Sequence, residues 1–271
     1  MKILSFDIGG SKISSALVDE HGKLLTDVKK VATPQNCEDI SEYFRKCVAE
    51  TVFDRAAIAT AGVVKDNKLT GKPNNLPVGY ENIDFAAIFK TEYVMENDAN
   101  AAVWAEFKLG NLLNVQHGVM LTLGTDVGCG IICNGTLLHG KSGAAGEVQM
   151  NFSGRSLLKL AEKYKYPETD CFKIYERVKS GDATAKKIYY EWEENLISGL
   201  LSINRLLDTE VFALSGSLAK IADYAKINTS IKLLLPTSAP EIKPARLGVD
   251  AGLIGAALLL SDKIRNNNKR V

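Results

Sequence analysis

Residues 96–104 read ENDANAAVW, and within them Asn97, Asp98 and Asn100 set two amides and a carboxylate between an apolar run and a stretch of alanines. The plainest use of Asp98 is as the N-cap of a helix running through ANAAVWAEFKLG, which Gly110 would end. Two glycine-rich turns carry a second chemistry, because such turns expose backbone N–H groups and admit a phosphate where a Cβ would clash. In DIGGSK, Gly9 and Gly10 permit close approach, Ser11 and Lys12 offer a hydroxyl and an ammonium, and Asp7 offers a carboxylate to a hydrated Mg²⁺. In LGTDVGCG, Gly124, Thr125, Gly128 and Gly130 repeat the theme. Either turn alone is also an ordinary hairpin connection. Neither matches the Gly-x-Gly-x-x-Gly dinucleotide turn or the Walker A loop.

The elements that must position these residues follow from the apolar pattern. KILSFDI and ISSALVD read as strands around the first glycine turn, and LLTDVKKVAT as a third, giving an antiparallel meander. Ile40, Phe44, Cys47, Val48 and Val52 recur at helical spacing, and RAAIATAGVV and YVMEN read as further strands. Residues 65–81 are rich in Asn, Gly and Pro and read as an irregular loop. After Gly118 the opening pattern returns, with two apolar strands around LGTDVGCG and then the hairpin signal Asn134-Gly135. A helical region over 156–207, the strand EVFALSG and the small-residue helix VDAGLIGAALLL complete the chain. The alternation predicts an α/β protein whose two halves begin alike and face each other across a cleft.

Composition narrows the partners. The 271 residues are 46% hydrophobic and 24% charged, enough for two cores. Thirty-three basic against thirty-two acidic residues give a net charge of +1, so no global field draws the protein to nucleic acid or a membrane. The basic tail KIRNNNKR reads as a solvated, frayed terminus. No leader-like succession or membrane-length apolar run is visible, and Cys37, Cys47, Cys129, Cys133 and Cys171 form no Cys-x-x-Cys pair. The expectation is a cytoplasmic protein with reduced thiols.

In this order, the pieces resemble the ROK family of sugar kinases, within the hexokinase and actin-like ATPase superfamily. DIGGSKISSALVDEHGKLL is similar to the family's first phosphate segment, ATAGVV and PNNLP to its sugar-side loops, and ENDANAAVWAE to its catalytic segment. LTLGTDVGCGIICNGTLLHG is similar to its second phosphate segment, GAAGEV to its sugar-binding segment, and KPARLGVDAGLIGAALL to its C-terminal segment. The resemblance implies a two-lobed actin-like ATPase (ribonuclease H-like) fold with a central cleft. It sets a smaller lobe over 1–115, on which the helix at about 250–264 packs back, and a larger lobe over 116–249. It implies ATP-dependent phosphorylation of a hexose or N-acetylhexosamine at the 6-hydroxyl, with Mg²⁺ and a homodimeric assembly. Asp98 becomes the general base, and Asn97, Glu147, Asn75 and Gly62 become sugar contacts. Asp7, Gly9, Gly10, Ser11, Lys12, Gly124, Thr125, Gly128 and Gly216 become the nucleotide side, with Asp7 reaching Mg²⁺ through water.

Four departures qualify the resemblance. Met150 stands where the family places a zinc-binding histidine, and no cysteine lies between Cys133 and Cys171, so the structural zinc site is expected to be lost. Met150, Phe152, Leu157 and Leu160 can form an apolar plug in its place, and Leu157 aligns with a second sugar-binding Glu. Asp126 replaces a glycine of the second phosphate turn, where a carboxylate repels phosphate or helps hold Mg²⁺, and Ser215-Gly216-Ser217 replaces consecutive glycines near the adenine. A non-catalytic sugar sensor is the alternative reading. A DNA-reading domain is not expected, since the phosphate strand starts at Lys2.

Overall fold

The two strand–turn–strand units open two separate five-stranded sheets in the computed structural model, which describes residues 1–268. The first half runs β1 (Lys2–Ile8), β2 (Lys12–Asp19), β3 (Lys29–Ala32), α1 (Cys37–Glu50) and β4 (Arg55–Thr60). A small hairpin of β5 (Val64–Lys65) and β6 (Lys68–Leu69) follows, then α2 (Phe85–Phe89), β7 (Tyr93–Asn97) and α3 (Asp98–Leu109). The second half runs β8 (Gly118–Leu123), β9 (Val127–Cys133), β10 (Thr136–Leu137), α4 (Gly154–Lys163), α5 (Cys171–Lys179) and α6 (Ala183–Leu207). It closes with β11 (Val211–Ser215), α7 (Tyr224–Leu234), β12 (Glu241–Pro244) and α8 (Ala251–Asn268). Strand order is β3-β2-β1-β4-β7 in one sheet and β10-β9-β8-β11-β12 in the other. In both, the strands after the opening three-stranded antiparallel meander are parallel and joined through helices.

Alternation along β1 sorts its residues between two cores. Leu4, Phe6 and Ile8 point to α1 and α2, where the Phe6 ring lies 4.3 Å from Phe44 and 5.9 Å from Phe89. Ile3 points to the opposite face, against Leu253, Ala256 and Ala257 of α8, and the Ser5 hydroxyl donates to the Leu253 carbonyl at 2.6 Å. Asp7 continues that row. The second sheet divides likewise: Val119, Leu121 and Leu123 join Trp192 and the α4–α6 core, while Met120 faces Ala102 and Val103 of α3. Helices α3 and α8 therefore lie between the sheets, and they touch through their backbones. A Cβ on Gly255 would sit 1.7 Å from the Ala101 carbonyl oxygen.

The structure adjusts three expectations. The loop expected over 65–81 begins inside the β5–β6 hairpin, where Asp66 and Asn67 take the left-handed conformation of a tight two-residue turn. The third strand starts only at Lys29, with Leu24 making a single bridge to Val18. Of the basic tail, residues 263–268 continue α8 rather than fray, and Lys269 and Arg270 lie outside the described residues.

Candidate active site

Register places the carboxyl ends of the parallel strands side by side. Asp7 on β1 pairs across from Ala59, and Thr60 at the end of β4 pairs with Asn97 at the end of β7. In the facing sheet Thr122 on β8 pairs with both Ser215 and Gly128. Ligands of open α/β sheets bind outside such strand ends. A cavity of about 830 Å³ lies there, lined by residues of both sheets.

The decisive local feature is the junction of β7 with α3. Both Asn97 and Asp98 are good capping types, and the ladder chooses between them, because Asn97 ends the strand. The Asn97 side-chain oxygen accepts from the Ala99 and Asn100 N–H groups at 2.9 and 3.1 Å, and its amide donates to the Gly62 carbonyl at 3.0 Å. Asp98 is thus the first residue of the helix rather than its N-cap. Its Oδ1 accepts one bond, from Ala99 N–H at 2.8 Å, and its carboxylate faces the cavity. Desolvation raises its pKa to about 6; the Ala99 bond opposes the shift, and the Glu147 charge adds to it. Asp7 is raised to about 7 by burial first and then by Asp98, with Lys12 pulling the other way. Among the described residues lining the cavity, the carboxylates of Asp7, Asp98, Asp126 and Glu147 face the ammonium groups of Lys12 and Lys220.

The cavity gathers Asp7, Lys12, Gly62, Asn75, Asn97, Asp98, Thr125, Gly128, Glu147 and Gly216 of the expected site. Gly9, Gly10, Ser11 and Gly124 are not among its lining residues. Gly9 N–H donates to Lys12 C=O at 3.0 Å and Gly124 N–H to Asp126 C=O at 3.1 Å, so these two groups close their own turns. Gly10 lies under the Asn75 loop, where a Cβ would come within 2.5 Å of the Asn75 carbonyl oxygen. Leu157, aligned above with a sugar-binding Glu, is fully buried in the core of the second half with Phe152. The Trp192 indole donates to the Phe152 carbonyl at 2.9 Å, and the Phe152 ring fills the space above Gly199. Asp126 is paired: the Arg155 guanidinium lies 3.3 Å away, on a helix whose first residues donate to the Gly124 and Thr125 carbonyls. Lys220, Tyr224 and Val249 line the cavity without having been expected there: Lys220 lies in the turn after β11, Tyr224 opens α7, and Val249 lies in the turn before α8.

The comparisons with known proteins span nearly the whole chain. A model of the ROK family matches residues 3–149 and 148–263. The chain belongs to the ROK family. It is similar to the N-acetylmannosamine kinase of Haemophilus influenzae (strain 86-028NP), at 28% identity over 97% of this chain and 96% of that protein. The ROK hexokinase from Thermus thermophilus superposes with a TM-score of 0.83 at 25% identity, covering 98% of this chain and all of the other. A ROK glucokinase from Streptomyces griseus, solved in complex with glucose and AMPPNP, does so with 0.76 at 26% identity, covering 96% and 99%. The two facing sheets of this ROK chain are those of the actin-like ATPase fold.

Proposed function

We propose that this ROK protein is an ATP-dependent sugar kinase that phosphorylates a hexose or N-acetylhexosamine at its 6-hydroxyl, with Asp98 as general base. The observation that carries the reading is the division of labour at the start of α3: Asn97 caps the helix, which leaves the Asp98 carboxylate free in the cavity. With a pKa near 6 the group is ionised at neutral pH, yet basic enough to take a proton. As the sugar oxygen bonds to the γ-phosphorus of ATP, its proton passes to Asp98 and the bond from that phosphorus to the β–γ bridging oxygen breaks, releasing ADP. Asn97, Asn75 and Glu147 supply donors and acceptors for the remaining hydroxyls, with Gly62 beside them at the cavity wall. The turns at 9–12 and 124–128, together with Gly216, flank the nucleotide. Asp7 fits Mg²⁺, because burial and the Asp98 and Asp250 charges give it the excess negative potential that a divalent cation relieves. Asp7 would hold Mg²⁺ there, and the ion would supply charge neutralisation at the phosphates.

Residues 1–115, with α8 packed on their sheet, make one lobe of this kinase and residues 116–249 the other; the protein is cytoplasmic and homodimeric. The sensor alternative rests on the missing second sugar-binding Glu, where Leu157 stands, and on Asp126 repelling phosphate. Arg155 answers the second objection by supplying an opposite charge at 3.3 Å. A coupled assay with ATP over a panel of hexoses and N-acetylhexosamines tests the proposal, and turnover of none of them would sink it.

Two further expectations arise here. Lys12→Ala should raise the KM for ATP about tenfold, the loss of one charge-assisted contact, while sugar affinity measured by calorimetry stays near wild type. An effect on sugar alone would reverse the assignment of the two sides. The plug account gives the second: the purified protein carries no stoichiometric zinc by elemental analysis, and Phe152→Ala lowers unfolding stability by about 3–5 kcal/mol, the usual result of emptying a buried aromatic site. One firmly held zinc per chain would overturn it.

A further inference from the structure

Glu96 precedes the catalytic pair and is 7% exposed. Its Oε1 accepts from the Asn97 backbone N–H at 2.9 Å and from the Asn100 side-chain amide at 3.1 Å, so it holds the turn that presents Asp98. Its Oε2 accepts from His139 Nε2 at 2.7 Å. His139 belongs to the opposite half. It lies just past β10, in the loop that also carries Glu147, and its carbonyl accepts from Ala145 N–H two residues before Glu147. The same loop meets the first half at two more places. Lys65 Nζ donates to the Lys141 carbonyl at 2.9 Å, and Gly143 packs so closely on Val64 that a Cβ would lie 2.2 Å from its carbonyl oxygen.

We propose that His139 is a positioning residue which, through Glu96, ties the loop bearing Glu147 to the Asn97–Asp98 turn and keeps sugar and base in register. The proposal rests on the kinase reading and adds to it a residue that touches neither substrate. A glutamine at 96 could make the same two bonds to Asn97 and Asn100. A buried carboxylate is costly there unless a cation or strong donor takes its second oxygen. His139 does so, and its pKa is raised by the hydrogen bond to Glu96 first, with partial burial opposing. The other charged groups on the segments that meet there are Lys65, Asp66 and Lys68 on the β5–β6 hairpin, Asp98 at the start of α3, and Lys141 and Glu147 on the histidine's own loop. Neutral imidazole still donates through Nε2–H, so the tie weakens on deprotonation without vanishing.

Three readouts test this. His139→Ala should lower kcat about tenfold, as expected for loss of geometric control over a reacting pair, and raise the KM for sugar while leaving the KM for ATP and the melting temperature close to wild type. His139→Arg, which keeps a cation and donors for Glu96, should restore most of kcat. The chain has only three histidines, His21, His117 and His139, so proton NMR can follow each imidazole. His139 should titrate above the ordinary value of about 6.5 and return toward it in Glu96→Gln. That titration needs no turnover. A protein that phosphorylated no sugar would end the kinase reading, while the pair would still be judged by NMR. Ordinary titration of His139, unchanged kcat in His139→Ala, or failure of His139→Arg to rescue would each overturn the positioning role.

Discussion

Asp98→Asn lowers kcat by at least about 10²-fold, the usual scale of general-base catalysis, while sugar and ATP still bind. Asparagine is nearly isosteric and can still accept the Ala99 N–H bond, but it cannot take a proton. The helix cap is untouched, since Asn97 provides it. The pH profile gives an independent check. The base must be ionised, and its pKa stands at about 6, so wild-type turnover rises as pH increases through that value, whereas the variant lacks the limb. Linkage fixes the sign of the stability change. Because the folded pKa lies above the unfolded one, the native state binds the extra proton between the ordinary carboxylate range and about 6, and stability falls as pH rises through that window. Asp98→Asn removes the ionised group and so should melt higher than wild type at pH 8. Near-normal turnover would remove Asp98 from the mechanism.

Gly255→Ala unfolds more easily by about 3 kcal/mol, at the upper end of overpacking costs, with a melting temperature lower by on the order of 10 °C. Propensity alone predicts the reverse, because alanine is favoured over glycine inside a helix by about 1 kcal/mol. Geometry decides against propensity here. The added methyl would sit 1.7 Å from the Ala101 carbonyl oxygen, a backbone atom held by α3, and the two helices would have to separate. Since α3 begins at Asp98, turnover should fall with stability. Thermal melts of the two proteins measure it, and a higher melting temperature for the variant would refute the close crossing.

Much of this arrangement was legible in the sequence. The two strand–glycine–strand units appear as β1–β2 and β8–β9, and the residues at 97, 98 and 147 meet in one cavity. What escaped reading has particular physical causes. Asn97 and Asp98 are adjacent residues of the same capping class, and only the pairing of Asn97 with Thr60 at the end of the β4–β7 ladder assigns the cap. The Glu96–His139 and Asp126–Arg155 pairs join residues 43 and 29 positions apart, with nothing local to mark them. Strand β12 has four residues and ends at Pro244, too short for an alternating pattern. Helix α7 did carry a signal, the cap Asp223 followed by Ile227 and Ile231 four residues apart.

The contact of α8 with the first sheet sets an order on folding during synthesis. Strand β1 leaves the ribosome first, yet the partner of its inner face, down to the Leu253 carbonyl that receives the Ser5 hydroxyl, is made almost 250 residues later. Until then Ile3, Ala57 and Ala59 lack the cover of Leu253, Ala256 and Ala257, although all five strands of the sheet that carries Asp7 and Asn97 have been made. Non-local pairing of this kind slows folding and leaves intermediates open to association. The nascent first half is therefore the stage at which this chain is most open to association, and the Asp98 carboxylate is brought into its final surroundings only when the last helix docks.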